Sequence, residues 1–113
     1  MVNKWIDGVE QWWTRKLTGL GKLEDGWDGY GSKCPQQTAF TVATMFLYDL
    51  EKNGVSRPEI VPTSQGGIQL ELHKGGFDLE IEIGPTGHTE FFLSYTDILA
   101  EGVSEYIPQE LKQ

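Results

Sequence analysis

Carboxylates set at alternate positions are the residues of this chain best placed to do chemistry. Asp78, Glu80 and Glu82 alternate with Phe77, Leu79, Ile81 and Ile83, so a strand over this stretch sends the acids to one face and the apolar residues to the other. Glu71 and Glu90 lie in flanking stretches of the same kind. Together the five acids form a surface that could dock a basic protein partner, or imitate a row of phosphates and so inhibit a nucleic-acid-binding enzyme. The plainer reading is a solvated sheet face that keeps the chain soluble and discourages edge pairing. General acid and base work of the glycosidase kind needs one carboxyl in an apolar pocket with a raised pKa. A flat exposed face offers no such pocket.

A second candidate site is the loop at residues 24–32, where Asp25, Trp27, Asp28 and Tyr30 are interleaved with three glycines. It would serve a small-ligand binder or a hydrolytic enzyme. The spacing lacks the alternating acids and terminal Glu of an EF-hand loop, so turn chemistry is the simpler role for the two aspartates. His73 and His88 fall at opposite ends of the stretch from 76 to 84, too far apart along a strand to share one metal ion. Cys34 sits beside Pro35 in no cysteine-enzyme signature, and Gly26 to Gly31 lacks the spacing of a phosphate-binding loop. No catalytic residue, metal or cofactor is expected.

These residues must be positioned by helices and strands. Over residues 3–20, Trp5, Val9, Trp12, Trp13, Leu17 and Leu20 recur at helical steps, with Asn3 as cap and Gly19 and Gly21 as the stop. Trp12 and Trp13 point about 100° apart on a helix, so burying both requires cover on two sides. A homodimer through Trp5, Trp12 and Trp13 is the expectation. Pro35 suits the first turn of a second helix, whose stripe is Ala39, Ala43, Phe46, Leu47 and Leu50 and whose end is Asn53-Gly54.

Beyond Arg57-Pro58 the period changes to two. A strand from about residue 59 to 63 joins the next through residues 64–67. Lys74-Gly75 as a two-residue loop pairs Leu72 with Phe77, Leu70 with Leu79 and Ile68 with Ile81, and sets Glu71 across from Asp78. Pro85-Thr86-Gly87 as a type I turn with a glycine bulge pairs Ile83 with Thr89, Ile81 with Phe91, Leu79 with Leu93 and Phe77 with Tyr95, and sets Glu82 across from Glu90. Both turns give the same apolar face. In the tail, Leu99, Val103, Tyr106 and Leu111 suggest one short helix. The expectation is a single α+β domain over residues 1–113, a four-stranded antiparallel β-meander packed on one face by two helices, with a short C-terminal helix.

The chain has 113 residues and a net charge of −8. Residues 1–33 balance five bases (Lys4, Arg15, Lys16, Lys22, Lys33) with five acids, so the excess lies after Cys34, where four bases face twelve acids. Such a balance argues against direct nucleic-acid binding and for a basic protein partner. No apolar run is long enough to span a bilayer and the N-terminus lacks the apolar centre of a signal peptide, which with a single cysteine points to the cytoplasm.

Through Gly26-Trp27-Asp28-Gly29-Tyr30-Gly31, Pro35, Pro62-Thr63 and Gly66-Gly67-Ile68-Gln69-Leu70-Glu71, the chain resembles a family of small bacterial and phage-associated proteins with no established biochemical role. The resemblance covers roughly residues 17 to 90 and supplies no catalytic residues. It implies a context of phage or bacterial defence, in which small acidic proteins often act as inhibitors. The expected function is a non-enzymatic acidic protein-binding module, an inhibitor or antitoxin-like regulator.

Overall fold

A computed structural model describes residues 6–7 and 10–95. In chain order its elements are β1 (Ile6–Asp7), β2 (Glu10–Gln11), α1 (Trp12–Leu20), α2 (Gln37–Lys52), β3 (Glu59–Pro62), β4 (Ile68–Lys74), β5 (Phe77–Ile83) and β6 (Thr89–Tyr95). The last four form an antiparallel sheet in sequence order, and β1 pairs with β2 in a small separate ladder. The architecture is therefore α+β with a four-stranded meander. The expected C-terminal helix with Leu99, Val103, Tyr106 and Leu111 lies outside the described residues, as does Trp5.

The expected first helix is shorter than its apolar period suggests. It begins at Trp12, and the chain before it pairs Ile6 with Gln11 and Asp7 with Glu10. Gly8 explains the difference, because glycine within a helix costs about 1 kcal/mol relative to alanine, and the β-branched Ile6 and Val9 weaken a helix further. What remains of the stripe, Trp13, Leu17 and Leu20, is buried. Trp13 is only 4% exposed and meets Tyr48 edge to face, with ring centroids 4.9 Å apart. Trp12 is half-buried against the core, with the Arg57 guanidinium 5.3 Å from its ring centre. Trp13 is thus used up within the subunit, which removes it from the proposed self-association patch.

Pro35 lies just before α2 rather than in its first turn, since Gln36 is the N-cap. The Gln36 N–H instead donates to the Gly66 carbonyl (2.9 Å), tying the helix start to the β3–β4 turn. At the other end, Gly54 at φ 71° lets its own N–H reach the Glu51 carbonyl and the Val55 N–H reach the Leu50 carbonyl. This is a Schellman termination, completed by the fully buried Val55. Ala39 and Ala43 are wholly buried, and their small size brings α2 close to β4 and β5, while α1 lies against β3. Leu47, Ile60, Ile68, Leu70, Leu72, Ile81 and Ile83 fill the space between helices and sheet.

The β5–β6 register is the expected one at all seven positions, with Gly87 at φ 94° in the bulge. The β4–β5 register is not. Lys74 pairs with Phe77, Leu72 with Leu79, Leu70 with Ile81 and Ile68 with Ile83, so the turn is Gly75-Gly76 and the pairing is two residues from that expected. A tight hairpin turn of this kind wants positive φ at both central residues, and Gly75 (φ 60°) and Gly76 (φ 82°) supply it without strain, whereas Lys74 would not. A shift of two preserves the faces, because side chains alternate with period two.

Two substitutions test this packing. Leu47→Ala should lower unfolding free energy by about 2–5 kcal/mol. Gly67→Ala should cost roughly 1–3 kcal/mol, because an added Cβ would run into the Ile83 carbonyl. Urea denaturation followed by tryptophan fluorescence measures both, and a wild-type midpoint for either would contradict the packing.

Candidate functional site: the acidic outer face of the sheet

Because the helices cover one side of the sheet, the residues in the opposite phase form its outer face. The registers assemble them in rows across the strands. One row runs Glu59, Glu71, Glu80, Phe92, the next Val61, Gln69, Glu82, Glu90, and a third His73, Asp78, Ser94. Neighbours in a row have Cβ atoms about 4.5–5.5 Å apart, and successive acids along one strand lie about 7 Å apart. All five acids expected on this face are there: Glu71, Asp78 and Glu80 half-buried, Glu82 and Glu90 exposed. Glu59 joins them as a sixth. No Lys or Arg lies on this face within the described strands.

The pairings differ from those expected. Glu82 does face Glu90, but Glu71 faces Glu80 and Glu59 rather than Asp78. Like charges directly across strands destabilise by about 0.2–1 kcal/mol per pair, so the central row is the most repulsive part of the face. Relief comes from two neighbours. Gln69 Nε2 donates to Glu71 Oε2 (3.2 Å), and His73 takes the place opposite Asp78, its Nδ1 2.6 Å from Asp78 Oδ1 and its Nε2 3.4 Å from Glu71 Oε1. Asp78 foremost, then Glu71, raise the His73 pKa above the usual histidine value, because both hydrogen bonds favour the imidazolium. His88 lies at the other end of β5, its Nε2 3.8 Å from Glu90 Oε1. Sequence reading overlooks Glu59 and Phe92 in this site and weighs His73, on the face of Glu71, only as a metal ligand, since its place opposite Asp78 becomes visible only once the strand neighbours are known.

The loop at residues 25–30 has a different character. Asp28 Oδ1 accepts the N–H of Tyr30 (2.9 Å), and its other oxygen takes the Ser32 hydroxyl. Asp25 Oδ1 accepts the Cys34 N–H (2.9 Å), and the Trp27 indole donates to the Lys33 carbonyl (3.0 Å). Three glycines at positive φ, Gly26, Gly29 and Gly31, allow the chain to coil this tightly. The Cys34 backbone bond holds the Asp25 pKa below the usual carboxylate value, and the Ser32 hydroxyl does the same for Asp28. Both therefore stay ionised at neutral pH, the reverse of what a general acid requires. The hydrogen bond with Asp25 raises the Cys34 pKa, which keeps the thiol protonated and poorly nucleophilic. Tyr30 points outward, 92% exposed.

An open groove of ≈ 440 Å³ between α1 and α2 is lined by Trp13, Leu17, Pro35, Phe40 and Thr44 among others, with no carboxylate, histidine or cysteine in its wall. Among the described residues no three His, Cys, Asp or Glu side chains are arranged to hold a metal ion, and no helix is long and apolar enough to cross a membrane. No protein-family profile, curated protein or solved structure matches this chain.

The His73 contacts have a pH signature. Since its folded-state pKa is raised, the stability it contributes is complete below the unfolded value of about 6.5 and is lost as pH rises through the folded value. Histidine titration by NMR should give His73 a midpoint above that of His73 in the Asp78→Asn variant, and the variant should lose part of the fall in stability from pH 6 to 8. Equal midpoints would show that the imidazole does not engage Asp78.

Proposed function

We propose that this chain is a non-enzymatic protein-binding module that docks a basic partner surface on the outer face of its sheet, in the manner of an inhibitor or antitoxin-like regulator. The observation that carries the reading is the set of six in-phase acids, Glu59, Glu71, Asp78, Glu80, Glu82 and Glu90, on a face that carries no Lys or Arg within the described strands, Lys74 of β4 being in the opposite phase. Carboxylates crowded across neighbouring strands repel one another, and a cationic counter-surface turns that repulsion into binding energy and into faster, steered association. A rigid sheet holds the acids at fixed spacing, so little ordering is required of them when the partner arrives. Phosphate groups would be repelled, which sets nucleic acid aside as a direct ligand.

The regulatory part of this reading is an association of class, taken from the resemblance to small bacterial and phage-associated proteins and carried by no motif of the chain, and the partner it proposes is cytoplasmic. An enzyme or small-ligand site at residues 25–30 is the weaker reading, because both oxygens of Asp28 and Oδ1 of Asp25 accept hydrogen bonds from residues 30–34 of the same segment.

Affinity capture from the native host at low and high salt tests the proposal. A partner rich in Lys and Arg should be retained at low salt and released as salt rises. The double variant Glu80→Lys, Glu82→Lys should lose that partner while keeping a wild-type circular dichroism spectrum. Retention of the same partner by the folded double variant, with loss on Asp28→Ala instead, would assign function to the loop.

A further inference from the structure

The two edges of the sheet are built differently. β3 is four residues long, begins with Glu59 and ends with Pro62, which has no N–H to offer. Short, charged, proline-bearing edges of this kind resist pairing with another strand. β6 runs for seven residues, Thr-Glu-Phe-Phe-Leu-Ser-Tyr, with no proline, no Lys or Arg and one acid. Among the described residues only β5 pairs with it, and its two phenylalanines stay open on opposite faces, Phe91 59% and Phe92 48% exposed.

The phase of its free backbone groups follows from the hairpin. The Gly84 N–H donates to the His88 carbonyl at 2.7 Å, which makes that pair hydrogen-bonded. In an antiparallel ladder hydrogen-bonded and non-bonded pairs alternate. Thr89, Phe91, Leu93 and Tyr95 therefore turn their N–H and C=O groups away from β5, towards the open edge.

We propose that this edge pairs antiparallel with the same edge of a second copy of the chain, about a twofold axis at Phe92, joining two four-stranded sheets into one. The strand is complementary to itself. A twofold pairing that uses all seven residues has one register: Thr89 opposite Tyr95, Glu90 opposite Ser94, Phe91 opposite Leu93 and Phe92 opposite Phe92. Outward-turned residues then meet outward-turned residues, as the hydrogen bonds require. Glu90, the only charge in the strand, meets a serine instead of its own copy. Phe91 and Leu93 extend the apolar face across the seam, and the two Phe92 rings meet on the outer face, where aromatic pairs across strands are favourable. The acidic face is doubled by the same operation, although the pairing does not depend on what that face binds.

The experiment uses the full chain. Light scattering from low to high micromolar concentration should give twice the monomer mass. Ser94→Glu places an acid opposite Glu90 at two symmetric positions and should weaken the dimer roughly tenfold. Adding Glu90→Lys converts both contacts to opposite-charge pairs and should restore it. In a Cys34→Ser background, Phe92→Cys should oxidise to a disulfide-linked dimer, because self-opposed residues in a non-bonded pair have Cα atoms about 4.5 Å apart. A monomer at all concentrations would overturn the proposal. So would a dimer indifferent to both charge variants, which would place the contact on another surface.

Discussion

Side-chain alternation across the plane of β4 and β5 is the constraint on which the rest of the structure depends. Ile68, Leu70 and Leu72 on one strand and Phe77, Leu79, Ile81 and Ile83 on the other all go under the helices, while Gln69, Glu71, His73, Asp78, Glu80 and Glu82 go to the outer side. A slip of one residue would invert this partition, burying carboxylates in an apolar layer at a cost of several kcal/mol each and exposing the core. A slip of two leaves it unchanged. The faces are therefore protected far more strongly than the pairing, and the glycine turns settle what the hydrophobic effect leaves open.

The helical layer follows from the same partition. Ala39 and Ala43 allow α2 to settle close on β4 and β5, and Trp13, Leu17 and Leu20 bring α1 against the β3 side. Between the helices, the glycine-rich loop acts as a brace. Its aspartates and indole hydrogen-bond within residues 25–34, and the Lys33 N–H reaches the Ser64 carbonyl at 2.8 Å in the β3–β4 turn. Asp25, Asp28 and Trp27, which look like a site in sequence, thereby help to hold two helices and a turn together, while Tyr30 stays exposed. Phe46 meets Phe91 edge to face at 5.6 Å at the far border of this layer, and β6 extends beyond it.

On the outer face the electrostatics are uneven. His73 serves Asp78 and Glu71 at one end, whereas Glu59, Glu80 and Glu82 lie among acids and neutral side chains. Such a face is tolerated because water and salt screen it. It is also poised to gain from any cationic surface that displaces the water. Charge across the sheet and hydrogen-bonding capacity along β6 are separate properties, one suited to a dissimilar partner and the other to an identical strand.

What can be read from the residues alone is what depends on near neighbours in the chain. The stripe of α2, its glycine stop, the change of period after Pro58 and the Pro85-Thr86-Gly87 bulge are local, and through them the α+β class, the β5–β6 register and the side taken by each strand acid are legible. The start of α1 is misread because the apolar period of residues 5–20 outweighs the single Gly8. The first hairpin is misread because Lys74-Gly75 and Gly75-Gly76 both give consistent faces, and only backbone twist at two positive φ angles separates them. Which residue meets which across strands changes with that choice, so His73 beside Asp78, Glu59 beside Glu71 and Phe92 among the acids belong to tertiary structure. The same holds for the burial of Trp13 and the use of Asp25 and Asp28 as loop braces, since composition states what a side chain can do and packing decides which of its atoms remain free.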